Sequence, residues 1–336
     1  MHKAFVFGKF MPFHKGHEAM IDFALSKGDL LTVLICCSDQ EAIRGDTRSK
    51  WLKETYAGRS DIEIRVFDYR ESQLPNTSVT SEHVSRLWAS TFKALLPDYS
   101  IVVTSEPYGD LVAAYMGIQH LAFDSNKLLY PISASRIRND IFRHWQFLPT
   151  SVRADYSTKV VILGTESTGK TTLTGKLANH FNGSSVMEAG RDLIADSNAF
   201  EMGDLQKVAA EHALRIQAAA RGGSPLVFID TDIHITISYA RFSLDSSLPI
   251  TGYIYAQNKA DLYLYLNNDV IYYQDGTRLA EEGRNLLDLS HRKILREFGI
   301  PFEEITGSWE SRFEKCVVLV ERLMHEKRLR HSAGAI

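Results

Sequence analysis

Short apolar, β-prone runs recur through the first half of the chain, at Ala4–Phe7, Leu30–Cys37, Ile62–Phe67, Ile101–Thr104 and His120–Phe123. Helix-compatible stretches separate them, at His17–Ser26, Arg48–Tyr56, Glu82–Leu96 and Leu111–Met116. Alternation of this kind predicts a parallel sheet with helices on both faces, and ligands at the carboxyl ends of its strands. The second half repeats the pattern. Apolar runs at Val160–Leu163, Ser184–Met187, Pro225–Asp230 and Asp261–Leu266 flank a strong helical period over Leu205–Arg221. Between the halves, residues 149–158 hold Pro149, several hydroxyls and little periodicity, which reads as a linker. The expected fold class is therefore α/β, with two parallel-sheet domains over 1–148 and 159–330.

Composition narrows the function classes. The 336 residues are 44% hydrophobic and 24% charged, ordinary for a globular chain long enough to bury two cores. A formal net charge of −3 without a Lys/Arg block offers no footprint for nucleic acid. Cys36, Cys37 and Cys316 are too few and too badly spaced for a disulfide framework or a zinc site, so they are expected as core thiols. With no signal-like N-terminus and no apolar run of membrane length, the expectation is a cytosolic protein without membrane partners. A homo-oligomer is left open.

The sharpest chemistry lies near the middle. Val160–Leu163 runs into Gly164-Thr165-Glu166-Ser167-Thr168-Gly169-Lys170-Thr171-Thr172, a strand followed by G-x-x-x-x-G-K-T and a helix-compatible segment. In such a loop Gly164 and Gly169 let the backbone curl so that N–H groups face phosphate oxygens, across Glu166, Ser167, Thr168 and Thr172. Lys170 adds a point charge and Thr171 a hydroxyl for Mg²⁺. The strand ending in Asp230 supplies the carboxylate expected to face that metal. Glu188 and Asp192, after the second strand, are candidates to orient a hydroxyl or accept its proton. The polar segment Asn267–Leu289, with His291 and Arg292 beyond it, places Arg278, Arg284 and Arg292 where a lid over phosphates is expected.

A second phosphate loop follows the first strand. Gly8 frees the turn, Pro12 stiffens it, and Gly16 permits close approach before a helix near His17. His14 and His17 are then placed to donate N–H groups to one anion. After Pro131, Ser133 and Ser135 are candidates to cap a helix, with Arg138 or Arg136 reaching back to a phosphate.

His14-Lys15-Gly16-His17 and Ile132-Ser133-Ala134-Ser135-Arg136-Ile137-Arg138 resemble the two signatures of the nucleotidylyltransferase superfamily, H-x-G-H and I-S-x-T-x-x-R, with serine for threonine in the second. Gly8-Lys9-Phe10, Ser105-Glu106, Tyr108-Gly109 and Asp140–Trp145 extend the likeness to the nicotinamide-mononucleotide (NMN) adenylyltransferase domain of bifunctional NadR-type proteins. Glu188, Gly190-Arg191-Asp192, Phe228–Asp232, Asn267-Asn268 and Ser311-Arg312-Phe313 resemble their ribosylnicotinamide kinase domain. The resemblance implies an N-terminal Rossmann-like nucleotidylyltransferase fold and a C-terminal P-loop kinase fold. It implies ATP contacts at Gly8, Lys9 and Phe10, the phosphate arginine at Arg138, and substrate contacts at Trp88, Arg191 and Asp232. It also implies ATP as co-substrate with Mg²⁺, and NMN, nicotinamide riboside and NAD as ligands. The first strand begins at about Ala4, which leaves no helix-turn-helix ahead of it and fits the expectation of no nucleic-acid partner.

The chain departs from the pattern at Met187 and Ala189, where familiar members carry an aromatic and a tyrosine. That departure favours one alternative, a P-loop half that senses nucleotide or acts as a scaffold. The signatures alone also allow a nucleotidylyltransferase–kinase fusion for another small molecule.

Overall fold

The structure, a computed structural model, describes residues 2–76, 81–194, 199–270 and 281–333. Packing divides the chain into two units. The first runs to Asp155 and takes in the residues from Arg328 onward; the second is Tyr156–Lys327.

The first unit is a five-stranded parallel sheet of order β3-β2-β1-β4-β5, from β1 (Lys3–Gly8), β2 (Leu30–Ser38), β3 (Ile62–Tyr69), β4 (Ile101–Thr104) and β5 (Gln119–Ala122). Helices α1 (Lys15–Leu25), α2 (Gly45–Thr55), α3 (Glu82–Leu95) and α4 (Tyr108–Met116) make the crossovers. Strand order reverses between β1 and β4, and a crevice for ligands opens at their carboxyl ends. One face of the sheet packs Phe5, Leu34, Phe92 and Val102 into a core with Met116, and Trp88 lies partly buried against it. Trp51 is fully buried, and its indole N–H donates to Asp155 Oδ2 at 2.6 Å.

The stretch expected as a linker is folded. Helix α5 (Ala134–Asn139) and a 3-10 turn (Trp145–Phe147) lead into α6 (Thr150–Tyr156). Val152 and Tyr156, four apart and so on one face of α6, are both buried. The hydroxyls that suggested a loop are internal partners: Ser151 Oγ lies 2.8 Å from Thr55 Oγ1.

The second unit has order β10-β9-β6-β8-β7, again all parallel, from β6 (Thr158–Leu163), β7 (Ser184–Val186), β8 (Leu226–Asp230), β9 (Leu262–Leu266) and β10 (Glu303–Ile305). Its helices are α7 (Lys170–His180), α8 (Gly190–Leu193), α9 (Met202–Ala220), α10 (Ile233–Leu244), α11 (Gly252–Gln257), α12 (Glu281–Glu297) and α13 (Trp309–Ser332). Strands β6, β8 and β9 are apolar along their length because both faces are covered. Both halves are thus parallel-sheet α/β domains, the second with its P-loop strand at the centre. Cys36, Cys37 and Cys316 are buried free thiols, and burial pushes the Cys37 thiol up to about 11. Among the described residues, no helix is long and apolar enough to cross a membrane.

Candidate active sites

In the first unit the β1–α1 loop carries the chemistry. His14 is the N-cap of α1, and its Nδ1 accepts from the backbone N–H of Gly16 at 3.2 Å and of His17 at 3.4 Å. This modifies the expected anion site, because the imidazole itself takes up two amides of the helix N-terminus. It also fixes the tautomer: with Nδ1 accepting, the proton sits on Nε2, ready to be donated. The His14 ring stacks on His17 with centroids 3.7 Å apart, and a side chain at Gly16 would meet that ring at 3.1 Å. His17 Nδ1 is buried with no hydrogen-bond partner among the described residues. The left-handed residue of the loop is Phe10 (φ 48°), not Gly8, and its buried ring packs against Phe13 and His17. Ring packing rather than glycine freedom therefore sets the turn.

The second signature meets the first. Ser133 caps α5 by accepting from the Arg136 N–H, and Arg136 turns back to the Pro131 carbonyl. Arg138 donates to the carbonyl of Met11 and to Ser135 Oγ at 3.3 Å, which brings its guanidinium to the β1–α1 loop. Lys9 pairs with Glu41 at 2.9 Å. Buried Arg48 pairs with the same carboxylate at 2.6 Å and also donates to the Lys9 and Cys36 carbonyls, tying the loop to β2. Lys127, which belongs to no sequence motif, lies close enough to both histidines to disfavour their protonation, and pairs with Glu106 at 3.4 Å. It is a second cation, with Arg138, near the His14–His17 loop. Trp88 sits edge-on to Tyr69, and its N–H donates to the Pro75 carbonyl at 3.1 Å.

In the second unit the P-loop closes around backbone. Gly164 (φ 139°) and Gly169 (φ 86°) both take values that favour glycine, and a side chain at Gly164 would strike the Leu266 carbonyl at 2.7 Å. Lys170 Nζ and Thr168 Oγ1 both donate to the Thr165 carbonyl, at 3.0 and 2.7 Å. Because β6 and β8 are neighbours, Thr171 Oγ1 donates to Asp230 Oδ2, while Asp230 Oδ1 is buried with no hydrogen-bond partner among the described residues. A hydroxyl beside a carboxylate with one uncommitted oxygen fits Mg²⁺, which takes few protein ligands and completes its shell with water and phosphate oxygens. No group of three or more His, Cys, Asp or Glu able to hold a metal occurs among the described residues. Thr231, β-branched and at φ 71°, follows Asp230 directly; His212 holds the Thr231 carbonyl at 3.1 Å. Strain of this kind persists where surrounding structure enforces it, commonly at functional sites.

A cavity of about 650 Å³ opens over the loop. Glu166, Ser167, Thr172, Glu188 and Arg191 line it with Lys170, and Phe200, Tyr239 and His212 complete its far wall. Tyr239 is held neutral by burial and by the nearby charges of Glu166 and Glu188. The aromatic surface missing at Met187 and Ala189 is thus supplied by other elements, since Met187 is exposed and only Ala189 faces the cavity. The helical period over Leu205–Arg221 disguised His212 as an ordinary core position.

Four expected residues are placed otherwise. Asp192 points to solvent and pairs with Arg215 at 2.7 Å, a usual first-turn acid. Asp232 is buried as the N-cap of α10, its oxygens engaged by the His234 N–H at 3.0 Å and His234 Nδ1 at 2.5 Å, which commits them to capping that helix. Arg292 donates to Asp288, Glu304 and Asn267 at 2.7, 2.9 and 2.6 Å and bears on the Tyr265 ring, which commits it to the α12–β9–β10 packing instead of a lid. Arg284 is buried on α12 and donates to the Asn268 carbonyl at 3.0 Å. Arg278 lies outside the described residues.

Three buried histidines tie stability to pH. Burial, then Lys127, brings His14 down to about 3; burial, then Lys170, brings His291 to about 3; burial, then His14 and Lys127, holds His17 well below its usual value. Unfolded imidazoles take up protons below about 6.5 while these do not. Their contribution is therefore complete above that pH and is lost as pH falls toward 3, at about 1.4 kcal/mol per group and pH unit. Melting temperatures are expected to be level from pH 8 to 7 and to drop steeply between pH 6.5 and 5. A melting temperature constant across that lower window would show that the imidazoles are not held neutral.

Comparisons with known proteins agree with this anatomy. Residues 5–162 match a cytidylyltransferase-like family, and residues 159–312 match an AAA domain family. The trifunctional NAD biosynthesis/regulator protein NadR of Escherichia coli (strain K12) is 31% identical over 96% of this chain and 83% of its own length. Two crystal structures of NadR proteins, one in complex with NR and one with NAD and AMP-PNP, share the fold. Their TM-scores are 0.70 and 0.69 at 21% and 22% identity, each over 96% of both chains. With that identity sustained along nearly its whole length, the chain belongs to the NadR family of NAD biosynthesis proteins.

Proposed function

We propose that the first half transfers AMP from ATP to nicotinamide mononucleotide, giving NAD and pyrophosphate, and that the second half phosphorylates nicotinamide riboside with ATP to make that mononucleotide. The observation that carries this reading is convergence within each half. Arg138 reaches the loop of His14 and His17, and Lys170 shares one cavity with Glu188. Solved NadR structures with NR, NAD and AMP-PNP support the same ligand classes here.

In the first reaction an oxygen of the mononucleotide phosphate forms a bond to the α-phosphorus of ATP, and the bond to the bridging α–β oxygen breaks. The attacking oxygen is already ionised, so alignment and charge neutralisation do the work. His14 and His17, neutral near pH 7, give N–H donors whose strength does not vary across that range, and Arg138 and Lys127 offset phosphate charge. In the second reaction the riboside 5′-hydroxyl attacks the γ-phosphorus, ADP leaves, and the hydroxyl proton passes to Glu188. Lys170 and the loop amides hold the β- and γ-phosphates. Thr171 and Asp230 would hold Mg²⁺, which would supply neutralising charge to the phosphate chain when bound. Phe200 and Tyr239 give the riboside ring an apolar wall.

Incubating the protein with ATP–Mg²⁺ and either riboside or mononucleotide, then resolving products, tests both assignments. Riboside should yield mononucleotide and then NAD, and mononucleotide should yield NAD and pyrophosphate. ATP turnover with neither product would refute the reading.

A further inference from the structure

Sheet order separates the two ends of the P-loop cavity. Strand β7, which delivers Glu188, and β10, which delivers the start of α13, lie on opposite edges with β6 and its loop between them. A phosphate chain held in the loop therefore has an acceptor end toward β7 and a nucleoside end toward β10. Trp309 stands at the second. The six-membered edge of its indole lies directly on Gly169, where an added side chain would come within 2.3 Å of the ring. The indole nevertheless remains 52% exposed and lines the same cavity as Lys170 and Thr172.

That position is held from behind. Arg312 is 1% exposed, and its guanidinium lies 5.4 Å from the Trp309 ring centroid. It donates to the carbonyls of Gly307 at 2.9 Å, Asn267 at 3.0 Å and Thr168 at 3.3 Å, and it pairs with Asp269. One buried cation thus fixes the aromatic, the end of β9 and the P-loop to one another. A tryptophan kept only for packing would be covered. This one is braced and left half open beside the phosphate loop, on the side away from the acceptor carboxylate.

We propose that Trp309 is the stacking platform for the purine base of the nucleotide whose phosphates the P-loop holds. The proposal rests on reading the second half as an ATP-using kinase, and it assigns the donor end of that site. Base–aromatic stacking is strong enough to show as a large affinity change on alanine substitution.

The test compares ATP–Mg²⁺ with tripolyphosphate–Mg²⁺, which has the phosphate chain and no base, by equilibrium binding to the full chain. Binding that Lys170→Ala abolishes reports the P-loop site rather than the first half. Trp309→Ala should weaken that component for ATP by roughly 5- to 150-fold and leave tripolyphosphate unchanged. Trp309→Phe should restore most of the ATP affinity. Unchanged ATP affinity in Trp309→Ala would overturn the proposal, as would equal losses for ATP and tripolyphosphate, which would mark Trp309 as a support of the loop. Absence of any Lys170-dependent binding of either probe to the wild-type chain would instead refute the kinase reading, and the platform with it.

Discussion

Substituting His17 by alanine is expected to lower NAD synthesis from the mononucleotide by about 10²–10³-fold, the usual cost of losing one preorganised donor to a transferring group. Riboside phosphorylation by the same protein should be unchanged. Lys170→Ala should produce the opposite pattern, because the amine that positions the β- and γ-phosphates belongs to the other unit alone. The reason for independence is structural. His14, His17, Arg138 and Lys127 all lie in the unit that runs to Asp155, whereas Lys170, Thr171, Glu188 and Asp230 lie in Tyr156–Lys327. Each sheet has its own core and its own carboxyl-end crevice. Product analysis of both variants on both substrates gives four rates. If either substitution abolished both reactions in a chain with unaltered circular dichroism and melting temperature, the two-site arrangement would be wrong.

What could be read from residues alone divides along a physical line. The P-loop and the β1–α1 loop were legible because local geometry dictates their glycines: Gly164 and Gly169 take φ values that exclude most side chains, and Gly16 lies under the His14 ring. The β6 and β8 strands were legible because burial on both faces leaves the apolar runs Val160–Leu163 and Leu226–Ile229. Polar side chains were not legible in the same way, since their roles depend on a partner distant in sequence. Arg292 looked like a lid residue until Asp288, Asn267 and Glu304 closed around it. Asp232 lies two residues beyond Asp230 at the end of β8, yet its oxygens are consumed by the turn that starts α10. His212 and Trp309 show the converse. One sits in a helical apolar period and the other at a helix start, and only tertiary packing turns them toward the cavity. Strand β10 was invisible for a third reason: three residues, two of them exposed glutamates, carry no apolar pattern.

The same distinction separates the two acids proposed for the kinase reaction. Glu188 and Asp192 are four residues apart, the first ahead of α8 and the second within it, and sequence alone gives either a claim on the substrate hydroxyl. Position separates them. Glu188 lines the cavity with Lys170, while Asp192 is 61% exposed at its side chain and paired with Arg215. Among the described residues, Glu188 pairs with Arg191 at 3.4 Å, and that arginine is itself largely exposed. Its carboxylate is therefore available to a bound hydroxyl without breaking a buried ion pair. Glu188→Gln retains size and one acceptor oxygen but cannot take up a proton. It should cut kinase turnover by about 10²–10⁴-fold, the range for a positioned general base, with ATP affinity and NAD synthesis close to wild type. Asp192→Asn should lose only a surface ion pair, of order 0–1 kcal/mol, and keep its turnover. A collapse confined to Asp192→Asn would mean that α8 turns in the substrate complex and transfers the role. Near-normal turnover in both variants would remove the carboxylate base from the mechanism and leave phosphate positioning by Lys170 and Thr171 to account for the rate.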